Sequence, residues 1–370
     1  RRRLGVTPQT HATIQNLLED TLISVELLTG ATPAARRKAL LARLGSGELS
    51  LVVGTHALIE PDVRFAQLAV AVVDEQHRFG VRQRAALEHG ADPSGRAVPH
   101  LLHMTATPIP RTLRLASFGA LDVTTLRELP SGRQPISTHV CSTDAERARA
   151  YERIREELDA GRQAFVVCPL VSESELLNAR AATDEFERLK DGDLADYRLA
   201  LLHGQMKSAE KAEVMERFAS GEAQVLVATT VIEVGIDVPN ATVMLIEDAE
   251  RYGISQLHQL RGRVGRGEHA SLCLLFGPKE SPRLRALAEN GDGFRLAEID
   301  LELRGEGELT GTRQSGLARY RFARLPDDAD LLERAHLRSL AVEPEAAGDP
   351  GRHDLLLSLV AGREAEALRA

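Results

Sequence analysis

The sequence predicts an α/β protein with two parallel-sheet units in tandem, followed by a helical region. Short apolar runs alternate with longer amphipathic stretches along most of its 370 residues. Continuous apolar runs are typical of strands buried on both faces, and their alternation with helices indicates a parallel sheet. The segment 129–135, LPSGRQP, interrupts this pattern because its two prolines and its glycine cannot continue a helix. We therefore divide the chain into 1–129, 130–278 and 279–370.

Each of the first two units has its own strand candidates. In the first unit they accompany a helical pattern at 33–44 and comprise residues 24–28, 51–53, 68–73 and 100–104. In the second unit they alternate with helical patterns at 144–160, 208–220 and 255–264, and comprise residues 164–168, 199–202, 225–228, 243–246 and 272–276. The third region is helical around a predicted Gly-rich loop at 304–316, RGEGELTGTRQSG. A loop so rich in glycine has an entropic cost and usually a positional reason.

Composition excludes several classes of protein. No apolar run approaches the roughly 18–20 residues that a membrane span needs. No apolar segment follows the basic start of the sequence, so we predict no secretory signal. Three widely spaced cysteines, Cys141, Cys168 and Cys273, indicate reduced thiols and a cytoplasmic protein rather than disulfides. A net charge of -8 weighs against a nucleic-acid partner, so the local distribution of charge has to decide.

An acidic pair, Asp74 and Glu75, directly follows the apolar run at 68–73 and precedes Gln76 and His77. Open parallel sheets bind ligands at the carboxyl ends of their strands. One carboxylate there can hold Mg²⁺ through water, while its neighbour polarises a water for attack on a phosphoryl group. The alternative is a plain strand end with solvated acids.

Hydroxyl side chains follow two other strand candidates. Thr105 and Thr107 come after the run at 100–104, and Thr229 and Thr230 come after the run at 225–228. Hydroxyls at a strand end can bind carboxylates or phosphates. A Thr/Pro turn is the alternative for the first pair. After the second pair, Asp237 follows Gly235 closely and could meet a ribose or a metal.

An arginine-rich segment, QLRGRVGRG, begins at Gln259. A continued helix would place Arg263 and Arg266 on one face, three residues apart. Two guanidinium groups in this arrangement suit the developing charge of a transferring phosphoryl group. A solvated basic patch is the alternative, although Gly262 and Gly265 fit poorly in an ordinary surface helix.

The phosphate-cradling sequence G-x-x-x-x-G-K-[ST] does not occur in this sequence. None of the five lysines follows a glycine, which such a loop requires; they are Lys38, Lys190, Lys207, Lys211 and Lys279.

Taken in order, these motifs resemble the later motifs of superfamily 2 helicases and, in their longer strings, the RecG family of bacterial ATP-dependent DNA helicases. The strings are VVDEQHRFGVRQR, MTATPIPRT, IEDAERYGISQLHQLRGRVGRG and LELRGEGELTGTRQSGL, and the resemblance covers residues 12–335. The transcription-repair coupling factor is the nearest alternative family. The residues 74–77 and 312–316 favour RecG over it, and the primosomal helicase is more distant.

The resemblance implies two RecA-like domains, the first of them truncated, then a helical hairpin, a translocation-motif loop and a helical tail. It implies that Asp74 holds Mg²⁺ and that Glu75 is the base for the attacking water. Arg263 and Arg266 would reach the γ-phosphate of ATP from the second RecA-like domain. The resemblance also implies which residues line the nucleotide site: Gln76, His77, Gln259, Glu233, Gly235 and Asp237. It implies that DNA phosphates are contacted by Thr55, His56, Thr229 and Thr230, and that the nucleotide is coupled to Thr105 and Thr107. Movement on duplex DNA would follow cleft closure through Arg304, Arg313 and Gln314.

The implied substrate is branched or duplex DNA, as in stalled forks and Holliday junctions during recombination and repair. Between residues 251 and 324 the chain carries 13 basic and 9 acidic residues, a local excess that suits phosphate contacts. The low aromatic content of 4% argues against base-stacking platforms for single strands. We also expect a monomer, no membrane partner and an interaction with a single-stranded DNA-binding protein.

The sequence departs from the family pattern before residue 11, where neither a DNA-binding wedge domain nor the phosphate-cradling loop occurs. We therefore expect a C-terminal part of such a helicase, with unpaired strand edges and exposed apolar faces in its first domain. We expect little ATP hydrolysis from this polypeptide alone. The alternatives are a non-catalytic module that binds duplex DNA or a protein partner, and a truncated product without a role.

Overall fold

The computed structural model describes residues 6–75, 99–105, 124–126, 134–169, 175–229, 238–309 and 334. These residues belong to two compact units. The first unit holds all ten strands of the described residues, and the second holds residues 253–256 and the helices that follow residue 280. The boundaries that we predict at residues 129 and 278 stay predictions.

A six-stranded parallel sheet dominates the first unit. Its strands are β5 (Ile136–Cys141), β6 (Gln163–Val167), β7 (Leu199–Leu202), β8 (Val225–Ala228), β9 (Ala241–Ile246) and β10 (Ser271–Phe276). Their order is β5-β10-β9-β6-β8-β7, and every pair is parallel. Strands β6, β8 and β9 are buried along their whole length, as their continuous apolar sequences predict.

Helices connect these strands. They are α3 (Asp144–Asp159), α4 (Glu175–Asp191), α5 (Ser208–Ala219) and α6 (Ile254–Arg261). Helix α3 begins with a capping box, because the Thr143 hydroxyl accepts the Glu146 amide and the Glu146 carboxylate accepts backbone N–H groups in return. Its apolar face, with Tyr151, Ile154 and Leu158, packs into the core under the sheet.

The residues before Thr105 form two separate two-stranded parallel ladders. Strand β1 (Val25–Leu28) pairs with β2 (Leu51–Gly54), and β3 (Val70–Asp74) pairs with β4 (His100–Met104). Helices α1 (Val6–Leu17) and α2 (Ala34–Ser46) precede and follow β1. The first ladder packs with α2 in a small core that includes Leu28, Leu40 and Leu44.

The β3–β4 ladder leaves apolar side chains on one face exposed. Val70 and Val72 of β3 are 58% and 57% exposed, and Leu102 and Met104 of β4 are 54% and 41% exposed. The expectation of exposed apolar faces in the first domain is therefore confirmed for this ladder.

The second unit contributes two further helices, α7 (Pro282–Glu289) and α8 (Gly293–Leu309), which pack against each other. None of the helices in the described part of the chain combines the length and apolar character that a membrane span requires.

The parallel α/β architecture and all nine predicted strands are confirmed, with shifts of one or two residues at their ends. Two predictions are wrong. The helix predicted at 255–264 ends at Arg261, because Gly262 leaves the helix in a turn. The loop predicted at 304–316 starts in a helix, since α8 continues to Leu309, and residues 310–316 lie outside the described ones.

Candidate functional site

The carboxyl ends of β1 and β2 bring two threonine-containing turns together. The Thr55 amide donates to the Leu28 carbonyl across the ladder at 3.3 Å, and Thr55 and His56 are exposed just beyond it. Gly54 is needed here because a Cβ atom would lie 2.3 Å from that same carbonyl oxygen. Beside them, the Thr29 amide donates to the Thr32 hydroxyl at 3.0 Å. The predictions omitted Thr29 and Thr32, although the TGAT sequence after a strand was a usable signal.

The carboxyl ends of β3 and β4 place the acidic pair beside a threonine. Asp74 is in register with Met104, so Glu75 and Thr105 follow at the same end of neighbouring strands. The Asp74 side chain is exposed. Glu75 has a φ of 52°, the left-handed region that costs a residue with a Cβ atom about 1 kcal/mol or more. The structure thus confirms the position of the pair at a strand end, and its catalytic role stays a prediction.

Several predicted residues lie outside the described ones, and Arg304 is placed only as a backbone position in α8. Those outside are Gln76, His77, Thr107, Thr230, Glu233, Gly235, Asp237, Arg313 and Gln314.

The carboxyl ends of β7 and β8 are the third place where a predicted threonine follows a strand. The Thr229 amide donates to the Leu202 carbonyl at 3.2 Å, and Thr229 is 2% exposed, so its hydroxyl does not lie at the surface in this structure. The turn that follows β7 begins at His203, and Lys211 from α5 donates to the Gly204 carbonyl at 2.6 Å. Burial, followed by the Lys211 charge, lowers the pKa of His203. His203 and Lys211 were absent from the sequence prediction, because their approach depends on the packing of α5.

The arginine-rich segment forms a tight turn at the end of α6. The Arg263 amide donates to the Leu260 carbonyl at 3.0 Å, and the Arg266 Nε donates to the Gly262 carbonyl at 3.1 Å. Gly265 has a φ of 74°, and a Cβ atom there would lie 2.8 Å from Ile136 Cγ1. We name residues 262–267 the arginine turn. The single helical face that we predict for Arg263 and Arg266 is therefore wrong.

The arginines of this segment have different environments. Arg261 is 5% exposed, whereas Arg263 is half-buried and Arg266 is exposed. Gln259 is half-buried on α6. Arg263 and Arg266 are thus more exposed than Arg261, which belongs to the interior, and their role at the γ-phosphate stays a prediction.

A polar cluster lies at the carboxyl ends of β9 and β10, against α3 and α4. The Tyr151 hydroxyl donates to Glu247 at 3.3 Å and accepts from Arg188 at 2.6 Å. The Arg147 guanidinium lies 4.7 Å from the centre of the Phe276 ring and 3.8 Å from Glu247. Burial, followed by the charge of Glu185, raises the pKa of Glu247 to about 7. We name these residues the Glu247 cluster.

The donor set near Asp74 fits a magnesium ion that keeps most of its water. Mg²⁺ prefers carboxylate oxygen and is commonly held by one or two carboxylates. The exposed Asp74 carboxylate meets that requirement. Among the described residues, no group of three or more His, Cys, Asp or Glu side chains could form a closed metal site.

Comparison with known families and structures agrees with this fold and these motifs. The profile of the helicase conserved C-terminal domain matches residues 149–268, which include β6–β9 and the arginine turn. A second profile, described as ATP-dependent DNA helicase RecG, domain 3, C-terminal, matches residues 290–352. The chain therefore belongs to the class of proteins that carry the helicase conserved C-terminal domain on a parallel α/β fold.

Similar proteins narrow this class. Over 345 residues the chain is 50% identical to the ATP-dependent DNA helicase RecG of Synechocystis sp. The matched region is 91% of this chain and 40% of that protein. It is 46% identical to the RecG of Bacillus subtilis, over 89% of this chain and 48% of that protein. The chain belongs to the RecG family, and it spans less than half the length of these relatives.

Solved structures support the same assignment. A structure of RecG bound to a three-way DNA junction is 40% identical and has a TM-score of 0.68, over 89% of this chain and 42% of that chain. A Saccharomyces cerevisiae Dbp5 structure, 16% identical with a TM-score of 0.52 over 78% of this chain and 72% of that chain, shares the fold. The domain 3 match and the RecG relatives favour RecG over the alternative family considered above.

Proposed function

We propose that this chain supplies the motor residues of an ATP-driven helicase that acts on branched DNA. The observation that carries the proposal is that a RecG-family chain holds the acidic pair at the end of β3, threonines at other strand ends, and the arginine turn after α6. RecG relatives are named ATP-dependent DNA helicases, and one related structure holds a three-way junction.

The nucleotide chemistry is assigned to the described residues as follows. Asp74 would hold Mg²⁺ through water, and Glu75 would accept a proton from the attacking water. Arg263 and Arg266 would neutralise charge that develops on the γ-phosphate. When bound, Mg²⁺ supplies charge neutralisation for the phosphate oxygens.

We assign the DNA contacts to two places, the carboxyl ends of β1 and β2 and the carboxyl ends of β7 and β8. Thr55 and His56 are exposed at the ends of β1 and β2, beside the half-buried Thr29, and the turn beginning at His203 follows β7. Lys211 holds that second turn by its carbonyl and adds a positive charge near it. Such contacts to phosphate fix position without reading sequence, as a motor that moves along DNA requires.

The first experiment measures DNA binding by the 370-residue chain. Fluorescence anisotropy would compare a synthetic three-way junction with a linear duplex of equal length at several salt concentrations. We expect tighter binding of the junction and a strong loss of affinity with salt. Lys211→Ala should weaken binding about threefold to tenfold, whereas Lys190→Ala, an exposed lysine on α4, should not. Absence of binding would contradict the DNA assignment.

The second experiment measures ATP hydrolysis in a hybrid helicase. Here the chain replaces the matched region of the Synechocystis relative, because the chain covers 40% of that protein. We expect DNA-stimulated hydrolysis that Glu75→Gln reduces by at least about a hundredfold, the loss typical of a general base. An active hybrid unaffected by Glu75→Gln would reject the role of Glu75.

A non-catalytic duplex-binding module is the second candidate, and the six-stranded sheet with its buried central strands β6, β8 and β9 favours it. The two candidates differ in their response to nucleotide. Equal binding of duplex and junction, unchanged by ATP in the hybrid, would support the module. Binding that changes with ATP would support the motor. The proposed partnership with a single-stranded DNA-binding protein and the monomeric state can be tested on the same samples by sedimentation.

A further inference from the structure

We propose that Arg261 is a positioning residue for the arginine turn, and that it acts through the imidazole ring of His258. This inference rests on the proposed function only for its effect on ATP hydrolysis. Its structural part, that the pair fixes the conformation of residues 262–267, stands independently.

The Arg261 side chain is buried. Arg261 is the last residue of α6 and only 5% exposed, although an arginine at a helix end usually reaches solvent. Its charge acts on Cys273 in β10: burial raises the pKa of that thiol to about 12, and Arg261 opposes the rise. The Arg261 side chain is therefore buried in the interior, whereas Arg266 is exposed.

Arg261 donates a hydrogen bond to the imidazole ring of His258. Its Nη2 lies 2.9 Å from the Nδ1 atom of His258, three residues earlier on the same helix. Arginine has only donors, so Nδ1 must accept and the ring must carry its proton on Nε2. The contact thus fixes the tautomer as well as the orientation of His258.

Three hydrogen bonds, joined through the backbone of His258 and Gly262, connect Arg261 to the turn. The His258 carbonyl accepts the Gly262 amide at 3.0 Å, and the Gly262 carbonyl accepts Arg266 Nε at 3.1 Å. The Arg261 carbonyl in addition accepts the amide of Val264, which is fully buried, at 3.3 Å. The buried guanidinium is therefore connected through His258 and Gly262 to the exposed Arg266.

The cost of burial supports a positioning role. Burying a guanidinium group is unfavourable relative to an apolar residue of similar size, and such groups are retained in some proteins because they specify one conformation. Arg261 contributes a fork with fixed geometry, which a lysine cannot reproduce. We infer that it selects the conformation of residues 262–267 in which Arg266 is exposed and bonded to the Gly262 carbonyl.

The first test is hydrogen exchange in the 370-residue chain, followed by NMR or mass spectrometry below the unfolding temperature. In Arg261→Met, the amides of residues 262–266 should exchange at least about tenfold faster, as expected when a hydrogen bond from a charged donor is lost. The amides of β6, β9 and β10 should keep their wild-type rates. Arg285→Met, which removes an exposed arginine on α7, should change neither set.

Variants of His258 provide the second part of this test. His258→Asn places an amide oxygen near the position of Nδ1 and should retain slow exchange, whereas His258→Leu should reproduce Arg261→Met. If Arg261→Met does not fold, Arg261→Lys and His258→Leu answer the same question. Unchanged exchange in the turn, or a uniform rise throughout the sheet, would overturn the positioning role.

The third test uses the hybrid helicase. Arg261→Met should lower kcat for ATP hydrolysis about tenfold or more while changing KM less than about threefold, since an effect on the transition state appears in kcat. Combined with Arg266→Ala, it should add little, because residues that act through one another are not additive. A loosened turn with unchanged kcat would refute the catalytic consequence. A wild-type hybrid without hydrolysis would instead refute the proposed function and leave the exchange result valid.

Discussion

The six-stranded sheet and the β3–β4 ladder support their functional residues in different ways. In the sheet, β6, β8 and β9 are buried on both faces, and the arginine turn packs tightly against neighbouring loops. In the ladder, alternate residues of both strands are exposed, and the acidic pair follows a strand with one hydrogen-bonded neighbour among the described residues. The two halves of the proposed catalytic apparatus therefore differ in the stability of their support.

The sheet and the ladder should therefore differ in how much stability a substitution removes. A buried strand transmits the loss of any side chain to the whole domain, because its packing has little freedom to relax. An exposed strand loses little when one of its side chains is shortened.

The largest effect is expected at the centre of the sheet. Leu245 in β9 is fully buried, and Leu102 in β4 is 54% exposed, so the two leucines occupy parallel strands of opposite character. Leu245→Ala should lower the free energy of unfolding by about 2–5 kcal/mol, through lost burial and a cavity. Leu102→Ala should lower it by less than about 1 kcal/mol. Urea unfolding followed by circular dichroism measures both, and equal losses would remove the contrast.

Charged pairs should show the same contrast with a smaller effect. Glu157 on α3 is 3% exposed and contacts Arg162 and the Thr242 hydroxyl. Arg37 on α2 pairs with exposed carboxylates, at 2.7 Å for Glu60. Glu157→Ala should cost about 2–3 kcal/mol, below the usual range for a buried pair because its arginine partners reach solvent. Arg37→Ala should cost about 0–1 kcal/mol in the same unfolding assay.

Continuous apolar runs were sufficient to predict the buried strands of the sheet and both ladders. Strand β5 was missed because it lies at the edge of the sheet, where ISTHVC alternates between buried and more exposed residues. The arginine turn was predicted as helix because charge spacing alone does not show that Gly262 ends α6. The buried position of Arg261 and the Lys211 contact depend on tertiary packing, which no local pattern encodes.

The Glu247 cluster in the first unit predicts that stability depends on pH. The pKa of Glu247 is raised from 4.5 to about 7, so the folded state holds this proton more tightly than the unfolded state. Stability should therefore fall between pH 4.5 and about 7, by up to about 3 kcal/mol. Glu247→Gln should flatten this part of the curve, which thermal unfolding at several pH values measures.

Glu146 provides the control for this prediction. The hydrogen bond from Lys279, together with the backbone amides of Ser142 and Thr143, lowers the pKa of Glu146 to about 2. Its contribution to stability should therefore be lost as the pH falls from 4.5 to about 2. Glu146→Gln should lower stability evenly above pH 4.5 and change the slope of the curve only in that acidic range. A curve that stays unchanged between pH 4.5 and 7 in Glu247→Gln would contradict the burial argument.

The smallest expected effect is a difference in the free energy of unfolding between alanine variants of two glycines with the same backbone conformation. Gly265 in the arginine turn has a φ of 74° and Gly161 after α3 has a φ of 79°, but only Gly265 has atoms within 4 Å of an added Cβ. Gly161→Ala should cost about 1 kcal/mol through backbone strain alone. Gly265→Ala should cost up to about 2 kcal/mol, because Ile136 must also move. The difference between the two unfolding free energies isolates the close packing of the turn against β5. Equal values would mean that the turn can yield without cost, and that the sheet supports Arg263 and Arg266 no more firmly than the ladder supports Asp74.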